Sequence, residues 1–110
     1  MTTSNKSAER HLLVTVRSQP VHHQRVKALL LELIEPVRSE LGCLYYNLFE
    51  QVNDSNAFVL AAGWADDAAV AAHPTHPGVP DILALVQPLL ACPWEVLPIR
   101  RVSETPTSPS

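Results

Sequence analysis

Residues 40–64, ELGCLYYNLFEQVNDSNAFVLAAGW, hold two β-rich runs on either side of a polar cluster, and their reading decides the fold. Cys43 to Val52 and Ala57 to Trp64 are dominated by aromatic, β-branched and other apolar residues. Asn53-Asp54-Ser55-Asn56 between them supplies side chains that bond to nearby backbone and favour a chain reversal. The stretch therefore predicts a β-hairpin. Tyr46 alternates with Leu44 and Leu48, a pattern suited to core, whereas Asn47 shares its face with Tyr45 and Phe49. An amide in aromatic company suits a hydrogen bond within a pocket or a subunit interface.

Working outward, His11 to Arg17 (HLLVTVR) reads as a first strand, ended by Ser18-Gln19-Pro20. From Val21 the period changes. Val26, Leu29, Leu30, Leu33, Ile34, Val37 and Leu41 recur at helical steps, while Lys27, Glu32, Glu35 and Arg38 take the opposite side. This predicts an amphipathic helix, with Pro20 in its first turn, Gly42 as its stop, and Pro36 kinking or breaking it. Beyond the hairpin, Asp66 or Asp67 can cap an Ala-rich helix running through His73. Pro74, Pro77, Gly78 and Pro80 interrupt it, and a second helical piece is expected from Asp81 as N-cap, distorted at Pro88. Trp94 to Val102 reads as a last strand, and Pro98 assigns it to an edge.

Strand, helix, strand, strand, helix, strand is the split βαβ order of an α+β, ferredoxin-like fold. It predicts a four-stranded antiparallel sheet with helices on one face and with strands two and four outermost. The other face is then bare and apolar, so a homodimer built sheet against sheet is expected.

Composition narrows the function. A chain of 110 residues, 46% hydrophobic, fits one domain, taken as 10–102 between polar tails at 1–9 and 103–110. A net charge of −3 leaves no basic footprint for nucleic acid. No apolar run reaches the ~20 residues of a spanning helix, so a cytoplasmic protein without membrane attachment is expected. Three glycines cannot build a dinucleotide or phosphate loop, which argues against flavin or nicotinamide held that way. Cys43 and Cys92 are too few for a thiolate metal site and are expected to be small buried hydrophobes on opposite sides of the sheet. His73 and His76 share an H-x-x-H spacing, but Pro74 prevents the helix that would aim both at one metal. No metal or other cofactor is expected.

Glu40-Leu41-Gly42-Cys43-Leu44-Tyr45-Tyr46-Asn47-Leu48, the Asn53–Asn56 turn, Phe58-Val59-Leu60, Trp64 and, nine residues on, His73 together resemble the antibiotic biosynthesis monooxygenase domain. The resemblance covers roughly residues 10–102 and extends to its quinol monooxygenase-like branch. It departs at Ala61-Ala62-Gly63, where the family carries a Tyr-Glu-Arg-like trio, and after His73, where Thr75-His76-Pro77-Gly78-Val79 replaces Ser-Pro-His-Phe. The resemblance implies a dimeric α/β-barrel that oxidises a small quinol, phenolic or polyketide-like aromatic with molecular oxygen and no cofactor. It implies catalytic roles for His73 as base, Trp64 as aromatic wall and Asn47 as donor, with Tyr46, Tyr45, Phe49 and His76 contacting substrate. Each has a plainer reading. Trp64 also suits a core position, and His73 also suits a helix end, where it stabilises the dipole. The alternative function is a non-catalytic, ligand-binding or stress-linked dimer of the same fold.

Overall fold

A computed structural model describes residues 7–73 and 78–104 of the chain. Strands β1 (Arg10–Arg17), β2 (Cys43–Gln51), β3 (Asp54–Trp64) and β4 (Glu95–Ile99) form one antiparallel sheet in the order β2-β3-β1-β4. Helices α1 (His23–Glu32), α2 (Ile34–Arg38), α3 (Asp67–Ala72) and α4 (Val79–Val86) pack on one side of it. The architecture is the ferredoxin-like α+β fold, and Pro98 lies on the edge strand β4.

Strand alternation sorts the side chains. Val16, Tyr46, Phe58, Leu60 and Ala62 face the helices, where Val26, Leu29, Leu30, Leu33, Ile34 and Val37 of the amphipathic stripe are buried. Leu13, Thr15, Val59, Ala61 and Gly63 take the opposite face. Registered with them there are Tyr45, Asn47 and Phe49 of β2 and Leu97 and Ile99 of β4. Phe49 is 54% exposed and Leu97 57%, so this second face offers apolar surface to solvent.

The local departures from expectation have simple causes. The long first helix is divided at Leu33, whose N–H closes a tight bond of 3.1 Å to the Leu30 carbonyl. Pro36 accounts for the position of the break, because its ring conflicts with the carbonyl four residues back, that of Glu32. The hairpin loop is only Val52-Asn53, since β3 already begins at Asp54. Asp54 is drawn into the sheet by Arg17, 3.1 Å from its carboxylate, and by the Asn56 N–H, also at 3.1 Å. Asp81 is not the N-cap of α4. Gly78 is, and Pro80 sits in the first turn, where a missing N–H costs nothing. The last strand is shorter than the run Trp94–Val102, ending at Ile99. Neither cysteine is a buried hydrophobe: Cys43 is half-buried and Cys92 exposed, and both are free thiols. Glu9, grouped with the N-terminal tail by composition, is buried.

Candidate active site

The site is assembled at the turn between α2 and β2. Gly42 has φ +85°, a left-handed conformation that ends the helical region, and a Cβ there would lie 2.6 Å from the Cβ of Ala69. Glycine thus lets α3 press directly against the turn. The Gly42 carbonyl accepts the Ala65 N–H at 2.8 Å, fixing the start of that approach. Asp66 then caps α3, its carboxylate accepting the Ala69 N–H at 2.9 Å. After the six residues of α3 comes its C-cap His73, which this geometry delivers to Glu40.

Glu40 is only 5% exposed at its side chain, and its two oxygens lie 3.0 and 2.9 Å from Nδ1 of His73. A carboxylate can only accept, so Nδ1 carries a proton, and in the neutral form of the ring Nε2 keeps its lone pair. The Trp64 indole N–H donates to the same carboxylate over a longer 3.4 Å. The Trp64 ring packs beside His73 with centroids 5.0 Å apart. Trp64 is 1% exposed and does not line the adjacent cavity, so its place is that of a core support behind the histidine rather than a pocket wall.

His73 and Tyr46, with ring centroids 6.3 Å apart, border a cavity of about 180 Å3 between the sheet and α4. Leu12, Val14, Leu60, Leu83 and Val86 supply most of the remaining wall. Burial, with the charge of Glu40 and then Cys43 nearby, pushes the Tyr46 phenol up to about 12. It therefore remains a hydrogen-bond donor across the physiological range. Burial and Glu40 also push the Cys43 thiol up, which keeps it a poor nucleophile.

The other β2 residues lie elsewhere. Tyr45, Asn47 and Phe49 project from the opposite face of the sheet, so they do not join His73, Trp64 and Tyr46 around one substrate. Asn47 accepts a hydrogen bond from Arg38 at 2.9 Å, and the same guanidinium donates to the Tyr46 carbonyl at 3.1 Å. Tyr45 spans β3 to reach His11 of β1, its hydroxyl 2.8 Å from Nδ1. Nε2 of His11 lies 2.9 Å from Glu9, which Arg101 grips with two bonds of 3.0 and 3.1 Å. The Nε2–H donates to the Glu9 carboxylate, so in the neutral ring Nδ1 accepts from the Tyr45 hydroxyl. The hydrogen bonds from Arg101 and His11 hold the Glu9 carboxyl below the usual carboxylate range. His76 lies outside the described residues.

Gly63 sits directly beneath this bridge. A Cβ there would meet the Tyr45 ring at 2.5 Å and His11 at 2.9 Å. Gly63, the last of the three small residues, thus makes room for a side-chain bridge from the neighbouring strands. Gly63→Ala is expected to destabilise the fold by about 1–3 kcal/mol in urea unfolding; an unchanged midpoint would mean that the bridge moves aside freely.

Glu40, His11 and Glu9, with Arg38 and Arg101 that bond to their neighbourhoods, are polar residues that sequence reasoning did not assign to a site. For Glu40 a signal existed: it opens the very motif that carries the family resemblance, two residues before a glycine stop. Among the described residues no three His, Cys, Asp or Glu side chains converge as a metal site, and no helix is long and apolar enough to cross a membrane.

Comparison with known proteins gives a concordant set of relatives. The family model described as antibiotic biosynthesis monooxygenase matches residues 10–84. The uncharacterised protein sll1783 of Synechocystis is 32% identical over 92 residues, which is 84% of this chain but only 62% of that protein's length. YcnE of Bacillus subtilis, whose name assigns it provisionally to the monooxygenases, is 34% identical over 65 residues, 59% of this chain and 68% of YcnE. The solved structure of Rv0793 from Mycobacterium tuberculosis superposes with a TM-score of 0.84 at 25% identity, covering 90% of this chain and all (100%) of that one.

Proposed function

The chain belongs to the antibiotic biosynthesis monooxygenase family, and from that premise we propose that it is a cofactor-independent monooxygenase acting on a small quinol or phenolic ring with molecular oxygen. The observation that carries this reading is the Glu40–His73 pair at the edge of an apolar cavity. Glu40 fixes the tautomer, so the bare Nε2 of His73 can take a proton from a substrate hydroxyl. The resulting oxyanion is electron-rich enough to reduce oxygen, and Tyr46, held as a phenol, donates a hydrogen bond to it. For a quinol the balance is complete without any other reductant. The ring gains one oxygen atom and loses two hydrogens in net, and the second oxygen leaves as water. The cavity of about 180 Å3 resembles in size the ~150 Å3 apolar cavities that hold a single benzene ring, which favours one substituted ring over a polycycle.

The working unit proposed is a homodimer joined through the open sheet face, where Phe49, Leu97 and Ile99 would leave water. Light scattering at micromolar concentration is expected to give twice the chain mass, and a monomer would contradict the assembly.

Oxygen-electrode assays with metal-free protein and a panel of single-ring quinols and catechols test the activity. Uptake above the uncatalysed rate, unaffected by chelator, is the expected result. Ligand-induced stabilisation without oxygen uptake would instead support the non-catalytic binding dimer.

A further inference from the structure

A β-bulge decides which tyrosine of β2 reaches the site. Cys43 pairs with Trp64 and Tyr45 with Gly63, so Leu44 is an extra residue without a register partner on β3. Side chains alternate along a strand, and one extra residue exchanges the faces of all that follow. Counted from the core-packed Cys43 without the bulge, Tyr45, Asn47 and Phe49 would turn toward the helices. With it, Tyr46 pairs with the inward Ala62 and lies beside His73. A bulge also disrupts the ladder around it, so β3 holds this part of β2 less tightly than a regular partner would. Arg38, in the last turn of α2, meets the strand at this point. Its Nε donates to the Tyr46 carbonyl at 3.1 Å and its Nη2 to the Asn47 side-chain oxygen at 2.9 Å, while Nη1 lies 3.4 Å from the Glu35 carboxylate. β2 is an outer strand, which leaves its free edge to α2.

Resting on the oxygenase reading above, we propose that Arg38 is a positioning residue: it clasps β2 just after the Leu44 bulge and so sets the Tyr46 hydroxyl in place beside His73. Arg38 does not line the cavity, so it acts through Tyr46. A guanidinium is planar and its donors are fixed relative to one another, so bonds to two consecutive residues set both the distance and the direction of the strand. The two acceptors meet it in the register in which Tyr46 faces inward and Asn47 outward. Asn47 thus serves the site from the far side of the sheet without touching substrate. A donor to an oxyanion works over a narrow range of distance, and a misplacement of ~1 Å can lower a rate by about 10²-fold. Loss of the clasp therefore falls on the chemical step more than on binding, because the apolar wall that holds the ring stays in place.

A double-mutant cycle on the full chain, with the panel member that gives the highest oxygen uptake, tests this. In Arg38→Ala kcat is expected to fall at least ten-fold while KM changes less than three-fold, and Arg38→Lys, which keeps one donor for the carbonyl, should recover part of the loss. The double variant Arg38→Ala with Tyr46→Phe should be no slower than Tyr46→Phe alone, since a clasp that works through the phenol has nothing left to position. Without substrate, the nuclear Overhauser contact between the Tyr46 and His73 rings should lose at least half its intensity in Arg38→Ala. Should Arg38→Ala not fold, Asn47→Ala, which removes one acceptor of the clasp, replaces it with an expected loss of at least three-fold. A kcat unchanged in the variant, losses that multiply in the double variant, or a ring contact of full intensity overturns the proposal. No oxygen uptake by the parent protein removes the oxygenase reading instead, and the ring contact then decides whether Arg38 positions Tyr46.

Discussion

Replacing His73 by alanine is expected to lower oxygen uptake per folded molecule by about 10²–10⁴-fold, the range that a positioned general base contributes. The fold should survive, because the imidazole stands at the end of α3 with its side chain 23% exposed and fills little of the core. Glu40→Gln tests the positioning role separately. The amide can still accept from Nδ1–H, but it can also donate, so the tautomer is no longer imposed and a loss of about ten-fold or more is expected. Imidazole added to the His73→Ala variant should restore part of the rate, whereas a merely structural loss would not respond. A variant that unfolds while its folded fraction keeps full activity would make His73 structural.

Phe58→Ala is expected to cost about 3–5 kcal/mol in denaturant unfolding. Phe58 is fully buried between β3 and the helices and stacks on His23 with centroids 5.5 Å apart, so its removal leaves a cavity that neighbouring side chains close only in part. Phe49, on the adjacent strand but on the open face, gives the contrast. Phe49→Ala should barely alter the stability of one chain and should instead weaken association of two. A loss for Phe58→Ala below about 1 kcal/mol would contradict the assignment of this face of the sheet as the core.

The fold was legible because its two periods do not overlap. The three- and four-residue spacing from Val26 to Val37 and the alternation around Tyr46 identify helix and strand without ambiguity, and Asn53 marks the reversal between strands. Pro36 even locates the helix break, since its steric conflict falls four residues upstream. The faces of β2 were less legible. Alternation separates Tyr46 from Asn47 but does not say which meets the helices; only the register with β3 does, and it puts Tyr46 at the cavity and Asn47 on the far side. Glu40 escaped notice because a charged residue at a helix end ordinarily reads as solvated. Its burial depends on Ala69 approaching Gly42, a contact 27 positions distant in sequence that no local pattern encodes. In sequence Ala61-Ala62-Gly63 is only a departure from the family's pattern. In three dimensions Gly63 is the floor over which Tyr45 reaches His11, and the hydrogen bonds that complete this chain come from Glu9 and Arg101, at opposite ends of the described fold.

Isotopically heavy molecular oxygen tests the central claim most directly. Metal-free protein supplied with a single-ring catechol or quinol under heavy oxygen should release a quinone carrying one heavy oxygen atom, with the other recovered in water. The His73→Ala variant should form it only at the uncatalysed rate. Heavy oxygen absent from the product, or incorporation equal in the variant and the parent protein, would contradict oxygenation driven by the Glu40–His73 pair.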